Sequence, residues 1–361
     1  MKIINVVAVR PDYMKVAPVH EIMLRSENFD PVLVHTGQHY DHELSQSFFE
    51  DLGMPEPDHF LNAGSGSHAV QTAKVLTEFE KVLLLEKPDM IFITGDVNST
   101  LACTLAAVKL GIKCAHAEAG LRSFDRTMPE EINRIMTDVV SDLLFVSEKS
   151  GVENLFNEGI NKEKIFPVGN LMIDSLKKHL KNAVNSDVFE RFGVSKGSYC
   201  LVTVHRPQNA DIRSNIEKIT DILNEISSLT DVIFPVHPRT YNNLKRYGLL
   251  NKLSNRIKLT PPLRYRDFTA LLADSSFVLT DSGGLQEETT YLNIPCLTLR
   301  ENTERPSTLE TGTNILIKKL DKTTIIKHIY HIMAGDGKTG TPPELWDGKT
   351  AERIIGILNN Y

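Results

Sequence analysis

Short runs of β-branched and other apolar residues alternate with longer stretches of helical period, and this alternation constrains the fold more than any other feature of the chain. The first series of runs is Ile3 to Val9, Val32 to His35, Met90 to Thr94, Cys114 to His116, Leu143 to Val146 and Ile165 to Val168. Strands apolar on both faces must be covered on both, and the amphipathic stretches between them supply the cover. The pattern predicts a parallel sheet with helices on each side. It then starts again: Cys200 to Val204, Val232 to Val236, Ile257 to Thr260, Phe277 to Thr280, Pro295 to Leu299 and Ile315 to Ile317 form a second series, after the polar stretch Lys181 to Ser198. No sequence repeat underlies the two series; one architecture is built twice.

The expected fold class is α/β, with two Rossmann-like doubly wound domains. A length of 361 residues agrees, because a domain averages roughly 150 residues. The expected boundaries are 1–170, 171–345 and a C-terminal segment 346–361, whose helix Thr350 to Asn359 follows the turn-rich stretch Gly335 to Gly348 and is free to pack back on the first domain. Doubly wound sheets hold ligands outside the carboxyl ends of their strands. Residues just after each strand are therefore expected to line an interdomain cleft that holds the active site.

Composition removes several alternatives. With 41% hydrophobic and 24% charged residues, the chain is neither disordered, collagenous nor coiled-coil. Lys and Arg number 40 against 46 Asp and Glu, a formal charge of -6 without long runs of either sign, so no general nucleic-acid or anionic-membrane binder is indicated. Cys103, Cys114, Cys200 and Cys296 are widely spaced in apolar surroundings and read as buried free thiols. The apolar run Ile3 to Val9 is interrupted by Asn5 and leads straight into Arg10-Pro11-Asp12, which suits a buried strand better than a signal peptide. No window approaches the roughly 20 apolar residues of a membrane span. A cytoplasmic protein is the simplest expectation.

Three strand ends of the first series carry chemistry. Arg10-Pro11-Asp12-Tyr13-Met14-Lys15 follows the first, with Pro11 suited to a first helical turn and two cations flanking a helix N-terminus, where an anion can bind. A solvated surface turn explains the same residues equally well. Gly95-Asp96-Val97-Asn98-Ser99-Thr100 puts a carboxylate at a strand-to-helix turn, where an Asp can also be a plain helix N-cap. His116-Ala117-Glu118-Ala119-Gly120-Leu121-Arg122 brings a second carboxylate to the same sheet edge. Then Met128-Pro129-Glu130-Glu131-Ile132-Asn133-Arg134 opens a helix with Ile132, Ile135, Met136 and Val139 on one apolar stripe and with Glu130 and Arg134 away from it. Singly, each acid has a routine explanation. Asp96, Glu118 and Glu130 in one poorly solvated site would raise one another's pKa and divide acid and base roles.

In the second series, His205 follows Thr203-Val204 and His237 repeats the arrangement one strand later in Pro235-Val236-His237-Pro238-Arg239. A strand-end imidazole can donate to an anion or carry a proton, although a lone His more often satisfies a backbone carbonyl. The sharpest anion signal is Thr280-Asp281-Ser282-Gly283-Gly284-Leu285-Gln286-Glu287-Glu288. Strand, glycines and helix come in the order a phosphate cradle needs, and a carboxylate one turn into the helix suits sugar hydroxyls. A tight turn needing glycine for its backbone angles is the alternative, and the order of the elements favours the anion site over it. Gly64-Ser65-Gly66-Ser67 imitates part of a dinucleotide fingerprint without the strand that should precede it, so no nicotinamide cofactor is expected. His35, His39, His42 and Glu43 fit no standard zinc motif, and no metal is expected.

Taken together, the segments starting at Arg10, Thr94, His116, Pro129, His205, Asp281 and Thr303-Glu304-Arg305-Pro306, with the closing Asp347-Gly348-Lys349, resemble the signatures of the non-hydrolysing UDP-N-acetylglucosamine 2-epimerases. They lie in that family's order and extend over nearly the whole chain. The resemblance implies a glycogen-phosphorylase or glycosyltransferase-B-like pair of Rossmann domains, a homodimer, no cofactor, and interconversion of UDP-N-acetylglucosamine with UDP-N-acetylmannosamine. It also implies catalytic roles for Asp96, Glu118, Glu130, His205 and Lys15. Arg10, Arg134, Arg206 and His237 would contact substrate, with Ser282, Gly283 and Gly284 on the diphosphate and Glu288 on the ribose. Ala8-Val9 and Gln208 depart from the family's usual residues, and relatives act on other 2-acetamido and 2,3-diacetamido UDP-sugars. Some bacterial members bind a second substrate molecule near positions matching Gln38, Glu131, Arg206 and His237, while Asp41 and His68 to Gln71 depart from that pattern.

The chemistry is consistent with this. The C2 proton of the sugar has no conjugated carbonyl, so loss of UDP must come first; the oxocarbenium-like centre at C1 then acidifies C2–H, and removal of that proton gives a glycal. Cations and helix-end N–H groups stabilise the departing charge. Alternatives are a hydrolysing 2-epimerase, a UDP-sugar glycosyltransferase and a nucleotide-sugar sensor. Hydrolysing relatives carry Glu-Gly-Gly-Glu where this chain has Glu118-Ala119-Gly120-Leu121; a transferase or a sensor gives no reason for three carboxylates.

Overall fold

The computed structural model describes residues 1–37, 53–183 and 186–361. Its contacts divide the chain into two compact units, Met1–Lys177 with Glu344–Tyr361, and Lys178–Pro343; the division falls inside helix Leu171–Ala183. No helix among the described residues is long and apolar enough to cross a membrane.

The first unit is built on strands β1 (Lys2–Val7), β2 (Asp30–His35), β3 (His59–Phe60), β4 (Met90–Thr94), β5 (Lys113–Ala117), β6 (Leu143–Val146) and β7 (Ile165–Pro167), ordered β3-β2-β1-β4-β5-β6-β7. All pairs are parallel. Ile91, Phe92 and Ile93 are at most 1% exposed, which is what a strand covered on both faces requires. The second unit repeats the order as β10-β9-β8-β11-β12-β13, with β8 (Tyr199–Thr203), β9 (Asp231–Pro235), β10 (Ile257–Thr260), β11 (Phe277–Thr280), β12 (Cys296–Thr298) and β13 (Asn314–Leu316). This is the Rossmann-like order, in which crossovers reverse direction between β1 and β4 and again between β8 and β11. The registers Ile93↔His116 and Thr94↔Ala117 bring the chain out of β4 and β5 side by side.

Three local features differ from the sequence expectation. The two-residue β3 is too short to produce a period, so nothing marks it. The polar stretch Lys181 to Ser198 holds a short helix, Val188–Phe192, whose Val188, Phe189 and Phe192 join the second unit's core. The largest difference is helix Pro129–Val140, whose apolar stripe faces outward: Ile132, Met136 and Val139 are 41%, 43% and 57% exposed, whereas Glu131, Asn133, Arg134, Thr137 and Asp138 are buried. Charged groups can take the inside of a helix only where each finds a partner, and these do.

Helix Thr350–Leu358 packs on helix Arg10–Leu24 within the first unit, burying Ile354 and Leu358. Asp174 caps it by accepting from the amides of Thr350 (3.1 Å) and Ala351 (2.8 Å), and Trp346 Nε1 donates to the Ser147 carbonyl at 2.8 Å. At Gly169, with φ +94°, a Cβ would stand 2.1 Å from the Leu345 carbonyl oxygen, so only glycine lets the C-terminal segment cross here.

All four cysteines are free and buried, and burial pushes the Cys114 thiol up to about 12 and Cys296 to about 11. The native protein should therefore show no rapid reaction with Ellman's reagent at pH 8, and denaturant should release four equivalents. A thiol that reacts rapidly in the native state would contradict this core.

Candidate active site

In the first unit, β1 ends at Val7 and the chain runs extended through Val9 into helix Arg10–Leu24. Asp12, three residues into that helix, closes its open end by accepting from the amides of Ala8 (3.1 Å) and Val9 (3.0 Å). One turn further, the buried Lys15 ion-pairs with Glu118 across the sheet edge. Gly95 sits over the same group: a Cβ there would lie 3.2 Å from Asp12 Oδ1 and 3.5 Å from Lys15 Nζ. Burial pushes the Asp12 carboxyl up to about 6, against the opposing pull of the Lys15 charge and the Val9 and Ala8 amides. Arg10 is half-buried at the helix start.

Asp96 is not the cap of the next helix. Helix Asn98–Lys109 takes Val97 at its N-cap without a side-chain cap bond, and the Asp96 carboxylate instead pairs with Arg134. Arg134, 2% exposed, also donates to Glu131 Oε2 through Nη2 at 2.6 Å. Burial raises the Glu131 carboxyl, but the Ser123 amide, Arg134 and the Phe124 amide outweigh it and hold the group below the usual range. Asn133 Nδ2 donates to the Asp96 carbonyl at 2.9 Å, so helix Pro129–Val140 grips both the backbone and the side chain of Asp96. Glu130 is half-buried in the first turn of that helix. Glu118 has φ +68°, a left-handed conformation that costs a residue with a Cβ about 1 kcal/mol and tends to occur at functional sites.

In the second unit, His205 follows β8 and its Nδ1 lies 2.9 Å from Asp281 Oδ1. Asp281 is fully buried and also accepts from the amides of His205 (3.1 Å) and Arg206 (2.9 Å) and from Asn209 Nδ2 (3.0 Å). Burial raises its carboxyl, but His205, Asn209 and the Arg206 amide more than offset this, and the net shift is downward. His237 is exposed, accepts from the Arg239 amide at 3.2 Å, and stands 6.0 Å ring to ring from His205. Ser282 is the N-cap of helix Gly283–Leu292 and makes no side-chain cap bond. Neither Gly283 nor Gly284 has a positive φ, so turn geometry is not what requires them. A Cβ on Gly283 would come within 2.9 Å of both Arg305 Nη1 and Glu304 Oε1. Arg305 is fixed by Glu304 and by Glu287 (Nε to Oε1, 2.7 Å), and Arg300 by Glu304 (2.7 Å). Burial raises Glu304, but the Arg305 and Arg300 charges hold it well below the usual range. Glu288 is buried and accepts from the Tyr265 hydroxyl at 3.1 Å.

The structure thus joins Lys15 with Glu118, and Arg134 with Asp96, in one unit, and gathers His205, Arg206 and the Ser282 helix start around Asp281 in the other. Sequence reasoning assigned no role to Asp12, Asp281 or Arg305. A carboxylate placed directly after a strand or three residues into a helix is the signal that could have found the first two. Gln38, His39, Asp41, His42 and Glu43 lie outside the described residues.

A family model for UDP-N-acetylglucosamine 2-epimerase matches residues 22–359. The chain belongs to that family. It is 46% identical to a UDP-N-acetylglucosamine 2-epimerase homolog of Methanococcus maripaludis, with both chains covered in full. It is 42% identical to the crystal structure of a Methanocaldococcus jannaschii UDP-GlcNAc 2-epimerase in complex with UDP-GlcNAc and UDP, again over the whole of both chains, at a TM-score of 0.92. It is also 41% identical, over 88% of each chain, to a UDP-2,3-diacetamido-2,3-dideoxy-D-glucuronate 2-epimerase of Pseudomonas aeruginosa.

Asp12 gives a pH prediction. Its folded pKa of about 6 lies above the ordinary 3.8, so the stability it contributes is present below pH 4 and lost as pH rises through 6. Relative to wild type, Asp12→Asn should gain stability between pH 4 and 6, by up to about 3 kcal/mol, and then keep a constant offset. Urea midpoints measured from pH 4 to 8 check this, and a pH-independent difference would refute it.

Proposed function

We propose that this chain inverts carbon 2 of UDP-N-acetylglucosamine, reversibly giving UDP-N-acetylmannosamine, by eliminating UDP and adding it back. The protein is an isomerase of the UDP-N-acetylglucosamine 2-epimerase family and does not hydrolyse its substrate. Its two steps balance without an electron carrier. The C1–O bond breaks with its electron pair leaving on the diphosphate, a carboxylate takes the C2 proton, and a C1=C2 bond forms; a second acid then delivers a proton to the opposite face of C2 as the diphosphate oxygen returns to C1. We assign the proton transfers to Asp96, Glu118 and Glu130, with Lys15 orienting Glu118 and Arg134 orienting Asp96. Departing charge is assigned to His205, Arg10 and the Ser282, Gly283 and Gly284 helix start, ribose recognition to Glu288, and further substrate contacts to Arg206 and His237.

The observation that carries the assignment is the pairing of each of two strand-end carboxylates with its own buried cation, Lys15 with Glu118 and Arg134 with Asp96. An uncapped helix start beside two fixed arginines supports the anion half. We further infer that the two units are doubly wound and of the glycosyltransferase-B type, as their strand orders support. A cytoplasmic location is supported by four buried free thiols. A homodimer is supported by the outward apolar stripe of Ile132, Met136 and Val139, which an identical chain would cover. The 41% identity to the Pseudomonas enzyme favours a second reading, a 2,3-diacetamido UDP-sugar as substrate.

Incubation with each UDP-sugar in deuterated water, followed by NMR, separates these. An equilibrium mixture of two UDP-sugars with deuterium at C2 is expected; stoichiometric release of free UDP would overturn the reading. Asp96→Asn, Glu118→Gln and Glu130→Gln should each lower kcat by at least about 100-fold, and unchanged turnover in any of them would remove that residue from the assignment. Met136→Glu should shift the protein toward monomer in light scattering, whereas an unshifted dimer would place the interface elsewhere.

A further inference from the structure

Beneath the turn that carries Glu118 runs a chain of buried charged groups for which the reaction as drawn has no use. His116, wholly buried in β5, lies with Nδ1 2.7 Å from Asp138 Oδ1 and Nε2 2.9 Å from the Gly95 carbonyl oxygen. A carbonyl oxygen only accepts, so Nε2 carries a proton. Asp138 is equally buried; its Oδ2 accepts from the Gly120 amide at 3.0 Å and pairs with Arg122 Nη1 at 2.7 Å. Burial raises the Asp138 carboxyl, but His116, Arg122 and the Gly120 amide outweigh it and hold it below the usual range. An ionised Asp138 accepts from Nδ1 as well, so the ring donates at both nitrogens. Arg122 is closed off by Glu158, with Nε and Nη2 each 2.7 Å from a carboxylate oxygen.

What this chain ties together are the two strand ends that bear the proposed acids. His116 reaches across from β5 to the carbonyl of Gly95, the residue before Asp96. Asp138 holds His116 on one side and, on the other, the amide of Gly120, two residues past Glu118. Between those anchors Glu118 and Gly120 both take left-handed backbone angles, φ +68° and +79°. Gly120 also has its carbonyl held by Asn154 Nδ2 at 2.8 Å. A strained turn keeps its shape only when its surroundings over-determine it, and here they do so at both ends.

We propose that His116 and Asp138 are positioning residues: a buried two-donor imidazole and its carboxylate clamp the β4 and β5 strand ends and thereby fix the aim of Glu118 and the placement of Asp96. The inference rests on the reading of Glu118 and Asp96 as proton-transfer groups. It concerns geometry at the reacting carbon, so it should appear in kcat and leave nucleotide binding alone.

His116→Asn keeps a donor near the Nδ1 position, facing Asp138, and loses the one to Gly95; His116→Gln keeps the donor near Nε2. Of the two, His116→Asn should lower kcat for epimerisation about 10–100-fold, with KM and the Kd for UDP within about threefold of wild type. His116→Gln should recover part of the loss. In the wild-type protein labelled with 15N-histidine, two ring N–H signals are expected for His116, a measurement that does not depend on any variant folding. Unchanged kcat in His116→Asn, a loss of UDP binding in proportion to kcat, or a single ring N–H would each overturn the proposal. Failure of wild type to exchange deuterium at C2 would instead overturn the reading of the reaction, so the two failures are distinguishable.

Discussion

Helix Pro129–Val140 turns its charged side inward, and the geometry of the first unit's site depends on that inversion. Four of the five buried polar residues of the helix hold neighbouring segments: Glu131 the amides of Ser123 and Phe124, Asn133 the carbonyl of Asp96, Arg134 the Asp96 carboxylate, and Asp138 the His116 ring and the Gly120 amide. Burying so many ionisable groups is costly, and a well-packed apolar face would serve stability as well or better. What the polar face provides is fixed distances between loops that have no other reason to be rigid. The apolar residues that an ordinary surface helix would bury are left outside.

Parallel sheets supply the rest of the geometry. Every strand of a parallel sheet releases its chain at the same edge, so the residues after β1, β4 and β5, which are consecutive neighbours, emerge within side-chain reach of one another. Lys15 follows β1, Asp96 follows β4 and Glu118 follows β5, and the Lys15–Glu118 pair spans that row. In the second unit, β8 and β11 are neighbours, and His205 meets Asp281 by the same logic. The order of the strands thus determines which residues of a long sequence become partners.

Much of this was legible in the sequence because buried parallel strands leave an unmistakable apolar run, and Met90–Thr94, Leu143–Val146, Ile257–Thr260 and Phe277–Thr280 fall where the runs put them. The strand-end acids were legible for the same reason, since a strand's end fixes where the next residue emerges. The inverted helix was not. Its period is plain, but period shows only that two faces differ, and an inward polar face becomes favourable only through partners such as His116 and Arg122 that are distant in sequence. Gly283 illustrates a related limit: its need for hydrogen in place of a side chain comes from Arg305 and Glu304, more than twenty residues away, and not from its own backbone angles.

In the second unit, the cations that the proposal sets against the diphosphate are matched locally by buried carboxylates. Arg300, Arg305, Arg206 and His205 stand among Asp281, Glu287 and Glu304, all three buried. Unpaired cations crowded together would repel one another and swing into solvent; Glu287 and Glu304 hold Arg305 and Arg300 in place, Asp281 holds the His205 ring, and the amides of a helix start add donors without adding charge. The chain's formal charge of -6 is no obstacle to the proposed diphosphate site, because what a ligand would meet there is local orientation rather than the sum over the chain. Asp281 and Glu304 are held below the ordinary carboxylate range, so these two carboxylates stay ionised across neutral pH. In the proposed cycle, the carboxylates that exchange protons are then those of the first unit alone, and the two chemical tasks, carrying a proton and carrying off a diphosphate, are assigned to separate units of one chain.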